Sequence, residues 1–158
     1  MRPFEEVVAE HGPVVLRVCR AMLSPLDADD AWSETFVSAL RAYPDLRPDS
    51  NVRGWLVTIA YRKALDQIRA KSRAPQPTSA LPEVASPDES AAGLDAQLRS
   101  ALQALPAKQR GAVIYHYLAD LPYSEVGVLL ETNEAAARRS AADGIANLRK
   151  NYTRGSAS

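Results

Sequence analysis

The sequence predicts an all-α chain built as two small helical domains. Apolar residues recur at three- and four-residue spacing almost throughout, the repeat of helices with one buried side. Alternating apolar and polar runs, the mark of half-buried strands, are nearly absent. The helical periodicity lapses over residues 74–92, APQPTSALPEVASPDESAA, which are rich in Pro, Ser and Ala. A chain of 158 residues has room for one domain or two small ones, and 46% apolar residues suffice for a core. The expected layout is a helical domain over 1–73, a flexible acidic linker over 74–92 and a second helical domain over 93–152.

The first stripe runs from Phe4, Val7 and Val8 through Val14, Val15, Val18, Cys19 and Met22. His11-Gly12-Pro13 interrupts it, and a break or kink is expected there, because proline removes a backbone donor and crowds the preceding turn. Ser24-Pro25 ends the segment. Asp27 is the expected N-cap of the second helix, with Asp29 and Asp30 favouring its positive end. Ala31, Trp32, Thr35, Phe36, Ala39, Leu40 and Tyr43 share one face of that helix, and Pro44 stops it. After the polar loop PDLRPDS, Asn51 can cap a third helix. Its buried side is expected to hold Val52, Trp55, Leu56, Ile59, Ala60, Ala64 and Ile68. Periodicity resumes with Leu94, Leu98, Ala101, Leu102 and Leu105 and stops at Pro106. The next helix carries Val113, Ile114, Tyr117 and Leu118. A short helix from Tyr123 to Leu130 follows, then a polar turn, then a helix that opens with Arg138 and Arg139. Two short helices joined this way read as a helix-turn-helix, with the second helix offered to a DNA major groove. The tail NYTRGSAS is expected to fray.

Composition excludes several classes. With one cysteine, no internal disulfide or Cys-based zinc site can form, and Cys19 reads as a small buried hydrophobe. The start MRPFEEVVAEHG lacks the apolar core and cleavage site of a signal peptide. No apolar run approaches the ~18 residues of a membrane span, so a cytoplasmic protein that contacts no membrane is expected. There is no Gly-rich phosphate loop and no H-E-x-x-H, and His11 and His116 stand alone. No enzyme, metal or cofactor is expected.

Net charge is zero, from 19 basic and 19 acidic residues, but the charge is unevenly placed. Residues 27–34, DADDAWSE, hold Asp27, Asp29, Asp30 and Glu34 without a base. Residues 61–73 hold Arg62, Lys63, Arg69, Lys71 and Arg73 against a single Asp66. Arg62, Arg69 and Arg73 can share a helix face, with Tyr61 and Trp55 near for stacking, a pattern suited to a phosphate backbone and unstacked bases.

Taken together, these segments resemble an extracytoplasmic-function (ECF) sigma factor, the minimal two-domain form of the bacterial sigma-70 family. DADDAWSETFVSALRAYP resembles the family's core-polymerase-binding helix. NVRGWLVTIAYRKALDQIRAKSR resembles its promoter-melting helix. LPAKQRGAVIYHYLADLPYSEVGVLL resembles the start of its second domain. The resemblance implies that Asp27, Asp29, Asp30, Trp32 and Glu34 dock on core RNA polymerase. It makes Asp49, Ser50 and Asn51 base readers for the melted non-template strand of the −10 element. It gives Arg53, Arg62, Lys63 and Arg69 to that strand's phosphates. Asn133, Arg138, Arg139 and Ser140 would engage the duplex −35 element. The implied partners are core polymerase, promoter DNA and, in some members, an anti-sigma factor.

The departures from the family pattern cluster in the helix-turn-helix. Glu131 stands where glycine is usual, so another turn geometry is expected. Ala136-Ala137 replace Thr-Val, and Ser140 and Asp143 replace basic residues. Asp143-Gly144 weakens phosphate attraction and helix propensity. In the melting helix, Tyr61-Arg62 replaces a usual Arg-Asn. The competing reading is a stand-alone helix-turn-helix regulator of duplex DNA, which would not need the acidic helix or the melting helix.

Overall fold

A computed structural model describes residues 2–73 and 89–156, with side chains placed over 2–73 and 96–152. Among the described residues there is no strand. Helix α1 spans Phe4–Met22, α2 Pro25–Ala42, α3 Val52–Arg73, α4 Glu89–Ala104, α5 Ala107–Val113, α6 Tyr123–Leu129 and α7 Glu134–Ser156. A 3-10 turn at Tyr43–Asp45 follows α2, and a π turn at Ile114–Leu118 follows α5.

Four helices differ from expectation in where they run. Helix α1 runs through Pro13 without a break. The stripe on both sides of Pro13, including Val7, Val14, Val15 and Val18, is buried against α2 and α3. At about 1.5–3 kcal/mol per buried side chain, that outweighs the ~3 kcal/mol cost of an interior proline. Helix α2 starts at Pro25, whose fixed φ suits the first helical position, with Ser24 extended before it. Asp27 therefore lies inside the first turn instead of capping it. It accepts a hydrogen bond from Ser24 Oγ at 3.1 Å and pairs with Lys71 at the far end of α3. Helix α4 begins at Glu89, within the stretch read as linker; residues 74–88 lie outside the described residues. Helix α7 continues to Ser156, past the expected fraying point.

Other expectations hold. Asn51 caps α3, its Oδ1 accepting from Gly54 N–H at 3.0 Å. Leu56, Ala60 and Ala64 are buried on α3, joined by Val57 and Tyr61. Cys19 is fully buried, which pushes its thiol up to about 12 and keeps it protonated.

The π turn shifts which residues face inward. Its wider winding buries Tyr115 and leaves Tyr117 half exposed, where straight helical spacing put Tyr117 on the apolar face. Leu40, also expected inside, is 56% exposed on α2.

The two helical groups share one core. Val15, Met22, Leu56 and Ala60 from the first group and Ile114, Tyr115, Val126 and Ala137 from the second belong to the same buried cluster. Polar contacts cross the junction. Gln103 Nε2 donates to the Met22 carbonyl at 2.9 Å, and Arg17 Nη1 to the Leu118 carbonyl at 3.1 Å. Arg110 Nε donates to Tyr61 Oη at 2.8 Å, and Asn51 Nδ2 donates to the Glu125 carboxylate.

Candidate nucleic-acid interface

The acidic segment forms the outer side of α2. Asp29, Asp30 and Glu34 are exposed, while Asp27 is engaged with Ser24 and Lys71. Trp32 is turned inward: its Nε1 donates to the Gly12 carbonyl at 3.0 Å and its ring packs on Phe36 with centroids 4.6 Å apart. The ring lies close over Gly12, where a Cβ would stand at van der Waals distance, 3.4 Å from Trp32 Cζ2. The outer face also carries Leu26 (81% exposed), Val37 (50%) and Leu40 (56%). Buried-face spacing left Leu26 and Val37 unremarked and put Leu40 inside. Exposed apolar side chains and carboxylates are thus interleaved along the outer side of α2.

The start of α3 carries the second group of candidates. Asp49 and Asn51 are exposed and Ser50 is half buried. Ser50 and Asn51 line a groove of about 590 Å³ with Trp55 on one wall and Ser124, Glu125 and Val128 of α6 on the other. Arg53 is half buried, Arg62 and Arg69 are exposed, and Lys63 is half buried. Arg69 pairs with Asp66 at 3.8 Å. Tyr61 is not available for stacking on a base. It is 8% exposed and lies against Tyr115, centroids 5.8 Å apart. Arg62 and Arg69 line a second cleft, of about 370 Å³, together with Lys108 and Arg110 of α5. Those two cations were invisible to a reading confined to the third helix, because only packing brings α5 beside it.

The helix-turn-helix is α6 and α7. Asn133 caps α7, its Oδ1 accepting from Ala136 N–H at 2.8 Å. The connection keeps the usual left-handed geometry: Glu131 takes φ 58°, so the expected rearrangement does not occur. Thr132 N–H donates to the Gly127 carbonyl at 2.8 Å and Glu131 N–H to the Val128 carbonyl at 3.1 Å, the hydrogen bonds of a Schellman cap. These bonds hold a glutamate in a conformation that costs a non-glycine residue about 1–2 kcal/mol. Ala137 and Ala141 are buried in the same core cluster as Val126 of α6, and Gly144 lies against α5, so small residues there permit close helix packing. A Cβ at Gly144 would lie 2.7 Å from Val113 Cγ2 and 3.1 Å from the Gln109 carbonyl oxygen. Arg138 and Arg139 are exposed; Ser140 is half buried.

Among the described residues no helix is long and apolar enough to cross a membrane, and no group of His, Cys, Asp and Glu is placed to hold a metal.

Comparison with known proteins agrees with this arrangement. Residues 7–74 match the model of Sigma-70 region 2, and residues 95–148 match Sigma-70, region 4. The RNA polymerase sigma factor CarQ of Myxococcus xanthus is 32% identical over 152 residues, covering 93% of this chain and 87% of that protein. The ECF RNA polymerase sigma factor SigD of Mycobacterium tuberculosis is 31% identical over 84% of this chain and 69% of its own length. Two solved structures share the fold across nearly the whole chain. One is CnrH in complex with the cytosolic domain of CnrY, with TM-score 0.73, 24% identity and coverage of 93% of this chain and 85% of that one. The other is the sigma factor RpoE of Bartonella quintana in complex with the anti-sigma factor NepR, with TM-score 0.69, 18% identity and coverage of 95% and 96%. With regions 2 and 4 in order on one chain, and relatives of this identity over most of its length, the protein belongs to the ECF sigma factors of the sigma-70 family.

Proposed function

We propose that this chain binds core RNA polymerase and directs it to promoters, where it helps melt the DNA and start transcription. One observation supports this reading above the rest: a single chain carries an outward acidic–apolar face on α2, a basic α3 and a helix-turn-helix, in the family's order. Asp29, Asp30 and Glu34 are the exposed carboxylates that would meet polymerase, with Leu26, Val37 and Leu40 supplying apolar contact. Asp27 and Trp32 would act indirectly, by fixing α2 against α3 and α1. Asp49, Ser50 and Asn51 would read the unstacked −10 strand, with Arg53, Arg62, Lys63 and Arg69 on its phosphates. Arg138 and Arg139 would read the −35 duplex, and Asn133 would present the start of α7 to a phosphate. Ser140, half buried, would contribute least. The protein performs no bond chemistry itself and works in the cytoplasm, beside the polymerase. An anti-sigma factor belongs among its partners, as RpoE is held by the anti-sigma factor NepR and CnrH by the cytosolic domain of CnrY.

Run-off transcription with purified core polymerase tests the reading. Wild type should give promoter-dependent transcripts, and Asp29→Arg/Asp30→Arg should reduce them at least tenfold while leaving the fold intact. Absence of promoter-dependent transcript with wild type would sink the reading. Full activity in the reversal variant would sink the docking assignment. A regulator acting alone would instead bind promoter fragments equally well with and without core.

A further inference from the structure

Tyr123 opens α6 and is separated from the α7 arginines by the whole turn, yet its ring is the middle layer of a column that ends on one of them. The His116 imidazole lies nearly parallel to it, at 15° and 3.8 Å between centroids. On the Arg138 side, the guanidinium carbon stands 4.6 Å from the Tyr123 centroid. The base of the column is itself fixed. His116 Nδ1 is 2.9 Å from the Leu121 carbonyl oxygen, and a carbonyl only accepts, so Nδ1 carries the hydrogen. His116 sits in the π turn, and its ring meets Tyr123 at the start of α6. At the top, Arg138 Nη2 also donates to Glu134 Oε1 at 3.2 Å, one helical turn back.

Stacking fixes a guanidinium in a way that suits base reading. The contact holds the guanidinium carbon over the ring, and of the N–H edge that can grip guanine O6 and N7 only Nη2 is drawn to Glu134. The Arg138 side chain is still 61% exposed, so that edge remains accessible. A long side chain ordered only on binding loses affinity to its own entropy; one already held loses less. Arg139 differs: among the described residues it makes no ion pair and stacks on no ring.

We propose that Tyr123, backed by His116, is the positioning residue for Arg138 and thereby sets base preference at one position of the upstream promoter element. This rests on reading α7 as the duplex-reading helix. It divides the two arginines by role, with Arg138 specifying a base and Arg139 adding attraction that tolerates any sequence.

The test is transcription by the full chain with core polymerase on a promoter library randomised in the upstream element, scored as a base-preference profile. Arg138→Ala should flatten preference at one position by on the order of tenfold. Tyr123→Leu should flatten that same position, Tyr123→Phe should preserve it, and His116→Gln should flatten it in part. Tyr123→Leu/Arg138→Ala should be no flatter than Arg138→Ala alone. Thermal melts of each variant separate a lost fold, which lowers transcription from every promoter, from a changed profile. If Tyr123→Leu does not fold, His116→Gln and Tyr123→Phe carry the comparison. Wild-type profiles in Tyr123→Leu and His116→Gln beside a flattened Arg138→Ala would overturn the positioning role alone. An unchanged profile in Arg138→Ala would overturn the reading of α7 and the positioning role with it.

Discussion

His11 is 7% exposed on α1, and its Nδ1 has no hydrogen-bond partner. Burial lowers its pKa from 6.5; Glu10, 3.7 Å away, works against that, while Arg53 and Arg2 add to it. The imidazole is thus held neutral in the fold, while in the unfolded chain it titrates near 6.5. Just below that pH the unfolded state binds more protons, so stability rises with pH there. The contribution is complete above about pH 6.5 and is lost as pH falls toward the depressed folded pKa. Melting temperature should therefore drop through this window, and His11→Gln should remove that part of the drop; an unchanged profile in the variant would refute the assignment. Glu131 makes the second residue-scale prediction. At φ 58° it carries strain that glycine relieves, offset by glycine's greater unfolded freedom. Glu131→Gly should raise stability by up to about 1 kcal/mol, read as a higher melting temperature. The sequence showed the missing glycine but not whether the backbone had moved; the Schellman bonds hold it in place.

At the scale of elements, the helix-turn-helix depends on one close approach. A Cβ at Gly127 would lie 2.9 Å from the Asn133 carbonyl carbon, 3.0 Å from its oxygen and 3.1 Å from Glu134 N. These are backbone atoms of the α7 cap and cannot rotate away. Gly127→Ala gains about 1 kcal/mol of helix propensity but meets overpacking of about 1–3 kcal/mol. The net expectation is a loss of about 1 kcal/mol, measured by denaturant unfolding, with reduced transcription from promoters that need the upstream element. Helix identity and order were legible because periodicity and caps are local. The start of α2 was not, because Ser24-Pro25 and Asp27 are competing local signals and proline's fixed φ wins. Pro13 inside α1 was unreadable for a different reason. Its cost is local, but the burial that offsets it is tertiary.

At the scale of the molecule, the shared core sets a constraint on function. Elements named for positions −10 and −35 lie about 25 base pairs apart, on the order of 85 Å along B-DNA. A compact chain of this length spans only about 40 Å. Helix α6 also stands against the start of α3, with Glu125 on Asn51. If α3 and α7 read the two elements as proposed, they cannot serve one promoter until the halves separate, and the free chain should bind promoter duplex weakly. Arg17→Ala/Arg110→Ala removes hydrogen bonds that cross the junction. At about 1 kcal/mol each, every lost bond should raise the separated population about fivefold. Hydrogen exchange should quicken at Tyr115 and along α6 before it does in α1. Exchange identical to wild type would mean these bonds do not hold the halves together.

The sequence by itself determined the all-α class, the two helical groups, most caps and the family, because each is written in short-range spacing and motif order. Tertiary structure decided which motif residues are free to act. It turned Trp32 and Tyr61 inward, tied Asp27 to Lys71, brought Lys108 and Arg110 beside α3, and stacked Arg138 on Tyr123. It also changed the standing of the helix-turn-helix, whose off-pattern Ala137 proves to be a core residue while Ala136 is half buried. The reason is physical: a residue's exposure and partners depend on elements distant in the chain, and no local pattern encodes which of its faces they will cover.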